Sequence, residues 1–264
     1  MSADPGDGLY IVSMDHSPSE QLTGADWHTT VLLASMAYDQ ANLARVVAAR
    51  LRPTTKALTK FSRAGRSYRR DFLPCFFDAA GKAPVYVFAI SARERAIRHS
   101  VDHFINELDI RRFYRRDERP GRSALVTLGP FVQASNGAAV TVRLSERRAA
   151  MGLFIAHFVL RMQAAMWEAG NSMTPPIGLV NWNFYGDKFA GATGEDLDLM
   201  FSMLVQQDRG HGRLLWGYFL EGDTVDADLL TDNVAGALNA LVTARSAMPE
   251  GHGKASFFYW EQWS

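Results

Sequence analysis

The sequence is short of cysteine, of long apolar stretches and of net charge, and each shortage excludes something. Cys75 is the only cysteine, so no internal disulfide can form. That fits a reducing compartment and leads us to expect a cytoplasmic protein. Cys75 lies in Phe72-Leu73-Pro74-Cys75-Phe76-Phe77 and reads as a small core residue rather than a nucleophile. No stretch of about 18 apolar residues free of charge occurs, so no membrane span is expected. The opening MSADPGDG has no basic segment followed by an apolar one, so no secretory leader is expected. The glycine-rich stretch from Gly186 to Gly194 has no Gly-Lys-Ser/Thr ending, which excludes a nucleotide P-loop. No repeat of 20–50 residues is visible, which excludes solenoids and propellers.

What is present suits a folded enzyme or binding protein. The chain has 264 residues, of which 47% are hydrophobic. That can bury a sizeable core, and the length suits one large domain or two small ones. Net charge is zero, but unevenly spread. Residues 1–150 hold 22 Lys+Arg against 15 Asp+Glu, and residues 151–264 hold 6 against 13. A basic half can meet nucleic acid phosphates while an acidic half holds a divalent cation, or the halves can neutralise each other within the fold.

Strands and helices alternate along the chain. Leu9–Met14 is a short β-rich run delivering Asp15 at its end, and Thr29–Met36 is a second strand completing a hairpin or meander. Asp39–Leu51 reads as an amphipathic helix closed by Pro53. Arg66–Asp78 is helical with a kink or break at Pro74. Val85–Ile90 is a continuous apolar strand of the kind buried on both faces. A helix follows over Ala92–Leu108. The charged stretch Arg111–Arg122 reads as a linker or exposed flap. Ala124–Val132 and Ala138–Leu144 form two strands with a turn at Ser135-Asn136-Gly137. Ser145 caps a helix to about Glu168 whose Met and Phe stripe is core. Strands at Pro176–Trp182 and Arg213–Leu220, helices at Gly194–Gln206 and Asp226–Ala247, and an edge strand at Phe257–Trp260 complete the pattern. It predicts an α/β fold, a mixed central sheet flanked by helices on both faces. We expect one domain over 1–264, with a charged flap or insertion around 111–144.

Three acids are placed to carry chemistry. Asp15 ends the first strand, Asp187 follows the strand ending at Trp182, and Asp232 lies in the last helix. Ala235 and Gly236 sit on the same side of that helix as Asp232 and would let its backbone approach a sheet closely. Magnesium or manganese is held by one or two carboxylates with waters and substrate phosphates, and paired ions serve phosphodiester cleavage. Each acid has a plainer reading: a turn acid before Pro18, a loop acid after Gly186, a helix acid paired with Lys or Arg.

The order of these pieces resembles the ribonuclease H-like proteins of domain-of-unknown-function family 3800. Tyr10-Ile11-Val12-Ser13-Met14-Asp15-His16-Ser17 is similar to that family's first strand ending Asp-Glu-Ser-Gly. Val31–Met36 before Asp39 is similar to its second strand and helix. Leu58-Thr59-Lys60-Phe61-Ser62 is similar to Glu-Leu-Lys-Phe-Ser. Leu229-Leu230-Thr231-Asp232-Asn233-Val234-Ala235-Gly236 is similar to Leu-Gln-Leu-Ala-Asp-Leu-Ile-Ala-Gly. The resemblance spans nearly the whole chain and implies a ribonuclease H-like fold and divalent-metal nuclease capacity. Asp15, Asp187 and Asp232 would then bind magnesium or manganese. The departures are His16 for a glutamate, Leu58 for another, and Asn181 and Asn183 where an acid is expected.

His16 is either a ligand or proton shuttle beside Asp15, or a loop histidine without such a role. Lys60, Arg63, Arg66 and Arg70 are candidate nucleic-acid contacts, as are Arg112 and Arg115 around Phe113 and Tyr114. Solvated charge is the plain reading of each. The implied partner is a nucleic acid. The alternative is a non-catalytic ribonuclease H-like protein that binds a protein partner or forms a homodimer.

Overall fold

The computed structural model describes residues 10–17, 27–107, 110–117, 125–132, 139–170, 182–186, 199–200, 204, 217–220, 225–244 and 255–260. It is a mixed α/β protein divided into two compact units. One comprises Met1–Glu94, Leu179–Asp187 and Leu215–Glu261. The other comprises Arg95–Gly178, Lys188–Leu214 and Gln262–Ser264. The expected insertion at 111–144 lies wholly within the second unit, which is larger than that insertion.

The first unit is built on six strands. They are β1 (Tyr10–Ser17), β2 (Trp27–Met36), β3 (Tyr86–Arg93), β7 (Trp182–Gly186), β8 (Gly217–Leu220) and β9 (Ala255–Trp260). Their order across the sheet is β8-β7-β1-β2-β3-β9. β2 runs antiparallel to β1 and β3, while β7 and β8 continue parallel to β1, and β9 is parallel to β3. The hairpin expected from the first two strands is therefore present, and the last strand is an edge strand as its position suggested. β1 continues through Ser17, so Asp15 lies inside the strand opposite Val31 and does not end it. The strand expected at 176–182 is described only from Trp182, and residues 176–181 lie outside the described residues. Of the helix expected at 194–206, residues 199–200 and 204 are described, as helix.

Alternation along the strands sorts the two faces. Val31, Leu33, Val87 and Ala89 join α1 (Ala37–Leu51), α2 (Arg66–Ala80) and α5 (Val225–Thr243) in one core. On the other face Val12, Leu32, Ala34, Phe88 and Ile90 are equally buried. This explains the near-continuous apolar run of β3. The α2 helix runs through Pro74 without ending. Pro74 is exposed, and so is Arg70 four residues before it, whose carbonyl Pro74 cannot serve. The missing bond therefore falls on the solvent side, where water can replace it.

Gly236 sits on α5 where a Cβ would stand 3.3 Å from the Phe61 ring. It allows close approach, but to Phe61 rather than to the sheet. Gly236→Ala should be near neutral, because about 1 kcal/mol of helix propensity is gained against a tight contact. Gly236→Val should destabilise by about 1–3 kcal/mol through overpacking, read by urea unfolding.

The second unit holds a three-stranded antiparallel sheet of β4 (Tyr114–Asp117), β5 (Leu125–Val132) and β6 (Ala139–Ser145), with helices α3 (Glu94–Glu107) and α4 (Glu146–Gly170). The charged stretch read as a flap thus contributes a strand, paired along one side of β5. Its arginines are tolerated because Arg115 and Arg116 remain exposed, and Arg116 pairs with Asp102 and Glu146. Gly129 has φ 134° where the register slips between Leu128 and Phe131, a backbone state that needs glycine. Ser145 caps α4 as expected, its Oγ accepting the Arg148 N–H at 3.2 Å. Met151, Phe154 and Phe158 are core, as their spacing indicated.

Cys75 is partly buried against the first unit's core. Burial pushes its thiol above the ordinary value, with Arg50 opposing in part. The neutral thiol therefore dominates near neutral pH, and the thiolate is the nucleophile. Iodoacetamide should alkylate Cys75 more slowly in the folded chain than in the urea-unfolded chain, from neutral to mildly alkaline pH.

Candidate metal and nucleic-acid site

Asp15 shares a strand face with Ser13 and Ser17, the face carrying Val31 and covered by α1 and α5. Ser13 Oγ donates to Gln40 Oε1 of α1 at 2.6 Å, and Gln40 Nε2 donates to the Leu33 carbonyl at 2.8 Å. Thr29, opposite Ser17, bonds Ser91 at 2.7 Å and Asn239 of α5 at 3.1 Å. These buried polar links tie the sheet to the helix layer on Asp15's side. Asp15 is half-buried, and its Oδ1 accepts the His16 N–H at 2.6 Å, which orients the carboxylate.

His16 points to the other face. Its Nδ1 is 3.0 Å from Thr30 Oγ1, its direct neighbour across the strands. Its Nε2 is 3.1 Å from His28 Nδ1. The ring centroids are 5.3 Å apart, so the facing nitrogens lie close to the line between them and the rings meet end to end. One hydrogen fits between those nitrogens, whichever tautomer each ring takes. His28 Nε2 in turn lies 3.7 Å from Glu94 Oε2. The histidine expected beside Asp15 is thus part of a separate chain running Thr30, His16, His28, Glu94. A single-residue step in a strand reverses the face, which makes a shared role with Asp15 at one ion geometrically unfavourable.

Asp232 lies on α5, which packs on β1 and β2. The fold therefore brings Asp15 and Asp232, from opposite ends of the chain, to one side of one sheet. Asp187 lies outside the described residues; the described part of β7 stops at Gly186, opposite Met14. Among the described residues no group of three or more His, Cys, Asp or Glu side chains is gathered to hold a metal ion.

Asp232 Oδ1 is 3.4 Å from Lys60 Nζ, with the side chains 27% and 52% exposed. A pair this exposed adds at most about 1 kcal/mol. Its interest lies in how Lys60 is held. Asn233, fully buried, accepts the Phe61 N–H at 2.5 Å and donates to the Thr59 carbonyl at 3.0 Å and to the Tyr68 hydroxyl at 3.1 Å. Arg69 donates to the carbonyls of Phe61 at 3.0 Å and Ser62 at 2.6 Å. Arg52 reaches the Thr59 hydroxyl. Burial raises the Tyr68 phenol above its usual value, against the opposing pull of the Thr59 backbone and Arg52, so it stays neutral. Tyr68 reads in the sequence as part of the basic cluster and Asn233 as part of the last-helix motif, and neither position shows that the two side chains hold the Lys60 turn. The signal for Asn233 was a polar residue within the apolar stripe of the last helix.

Nine cations and no carboxylate fall between residues 41 and 70. The structure separates their roles. Arg69 holds the backbone, Arg70 makes a two-pronged pair with Asp71 at 2.7 and 2.9 Å, and Arg50 pairs with Asp78. Lys56, Arg63 and Arg66 are exposed and have no partner among the described residues. Arg63 closes the single 3-10 turn Phe61–Arg63 that follows Lys60, and Arg66 opens α2. Arg112 and Arg115 are exposed in the second unit, where Arg112 stacks on Phe113 at 4.7 Å.

No helix of the described residues is long and apolar enough to cross a membrane. Neither known protein-family models nor curated proteins match this chain.

Proposed function

We propose that this chain is a ribonuclease H-like, divalent-metal-dependent nuclease acting on nucleic-acid phosphodiesters. The observation that carries the reading is that Asp15 and the helix bearing Asp232 lie on the same side of a mixed sheet. Ligands in open α/β sheets bind outside the carboxyl ends of parallel strands, where strand connections diverge, and Asp15 is near the carboxyl end of β1 between antiparallel β2 and parallel β7. Carboxylate oxygens from two elements suit a hard cation such as magnesium or manganese. Asp15 and Asp232 would hold it, with Asp187 as a third ligand. Such an ion would lower the pKa of a water and stabilise the leaving oxygen. The chain's own contribution is to orient the Asp15 carboxylate through the His16 N–H. It also offers Lys60, Arg63 and Arg66 to backbone phosphates. Arg70, engaged with Asp71, contributes less.

The test is incubation of the full chain with single- and double-stranded DNA and RNA in magnesium or manganese, against chelator and an Asp15→Asn control. Metal-dependent cutting lost in the control supports the reading, and equal cutting by the control sinks it.

A second reading is a non-catalytic ribonuclease H-like protein that binds nucleic acid or a protein partner. The Lys60–Asp232 pair favours it, because an ammonium already stands at one candidate ligand. Nucleic acid binding without metal-dependent cutting is its expected result.

A further inference from the structure

Lys60 is exposed, yet the backbone carrying it is fixed more firmly than a surface turn requires. The amide of Phe61 and the carbonyl of Thr59, one on each side of Lys60, are bonded to the same buried side chain, Asn233. Tyr68 shares that side chain and is itself 3.5 Å from the Thr59 amide. Beyond Lys60, Arg69 takes the Phe61 and Ser62 carbonyls. The Arg63 amide closes the turn onto the Lys60 carbonyl at 2.9 Å. Asn233 also follows Asp232 directly on α5. One helix segment therefore supplies both the acid and the anchor of the turn that carries Lys60.

We propose that Lys60 is a resident cation of the site, aimed by Asn233 as a positioning residue, so that the protein takes one divalent ion rather than two. This rests on the metal-nuclease reading. In paired-ion sites two cations clamp the attacking and leaving oxygens of a phosphodiester. An ammonium held near an acid supplies one of those charges permanently. It donates hydrogen bonds to a phosphate but cannot generate a hydroxide. Asp15 remains the acid for the divalent ion, and Asp232 divides its charge between that ion and Lys60. The tight backbone clamp is the part of this arrangement that an ordinary surface ion pair does not need.

Manganese bound to the full chain, counted by the electron paramagnetic resonance of free ion, tests the proposal. The wild type should bind one ion. Lys60→Met should bind a second over the same concentration range, and adding Asp232→Asn to Lys60→Met should return the count to one. Two ions in the wild type, or a count of one in Lys60→Met, overturns the proposal and leaves the metal reading standing. No ion in any variant overturns the metal reading, and the proposal with it.

The role of Asn233 is read separately by the lysine ammonium resonances in nitrogen-15 NMR. The Lys60 signal, visible while paired, should be lost in Asp232→Asn and in Asn233→Leu. Should Asn233→Leu fail to fold, Tyr68→Phe loosens the same clamp and should weaken the signal. An unchanged Lys60 signal in the folded variant removes Asn233 from this role.

Discussion

Under the proposed metal-nuclease function, replacing Asp15 with asparagine is expected to lower metal-dependent phosphodiester cleavage by about 10²- to 10³-fold while leaving the fold in place. The magnitude follows from the several kcal/mol of transition-state charge stabilisation that a bound cation supplies, at 1.36 kcal/mol per tenfold. The fold should survive because asparagine keeps the oxygen that accepts the His16 N–H at 2.6 Å. Only the charge and one oxygen are lost. Matched circular dichroism and unfolding curves, set beside initial cleavage rates, separate loss of chemistry from loss of structure. A rate within threefold of the wild type would contradict the assignment.

Phe72→Ala is expected to destabilise the first unit by about 3–5 kcal/mol. Phe72 is fully buried and central to the face that α2 presents to α1 and α5. Its ring meets Tyr68 at 5.8 Å, Phe61 at 6.1 Å and Phe76 at 6.2 Å between centroids. Truncation removes the transfer free energy of the ring, opens a cavity and breaks three aromatic pairs. The Phe61 contact also links stability to the site, because Phe61 is next to Lys60 and packs against Gly236 of α5. Urea unfolding measures the loss. A change below about 1 kcal/mol would mean that the core collapses around the gap. The same variant should weaken the Lys60 ammonium signal before the chain unfolds, since it loosens the turn that carries it.

Much of the fold was legible where the deciding forces are local. The β1–β2 hairpin, α1 before Pro53, the run of β3, the Ser145 cap and the core stripe of α4 all follow from patterns within a few residues. Elements were misjudged where a local rule met a tertiary exception. Pro74 reads as a kink or a break, but the helix does not break there because its lost bond faces water. Arg111–Arg122 reads as a flap, but residues 114–117 pair with β5 because their charges stay outside or find acids across the unit.

The candidate site was legible only in part. Asp15 and Asp232 could be named as candidates from strand, helix and motif positions, and the fold puts them on the same side of the sheet. His16 reads either as a ligand or proton shuttle beside Asp15, its neighbour in sequence, or as a loop histidine without such a role. In a strand adjacency means opposite faces, and its partners proved to be Thr30 and His28. Lys60 reads as a phosphate contact or a solvated lysine, whereas it pairs with Asp232, as the plainer reading of that acid has it.

By itself the sequence determined the α/β character, the absence of an internal disulfide, and the basic and acidic halves; it put Asp15 at the end of the first strand, and only the structure set it inside. Those depend on composition and on spacing along a few turns or strand repeats. Only the tertiary structure decided partners. It showed that Asp15 and Ser13 share the helix-covered face and that His16 faces away from it. It also showed that Asn233 closes on Thr59 and Phe61, the latter 172 residues distant. Such contacts are selected when layers pack and buried polar groups must all be satisfied, and no local pattern encodes which distant group will meet that demand.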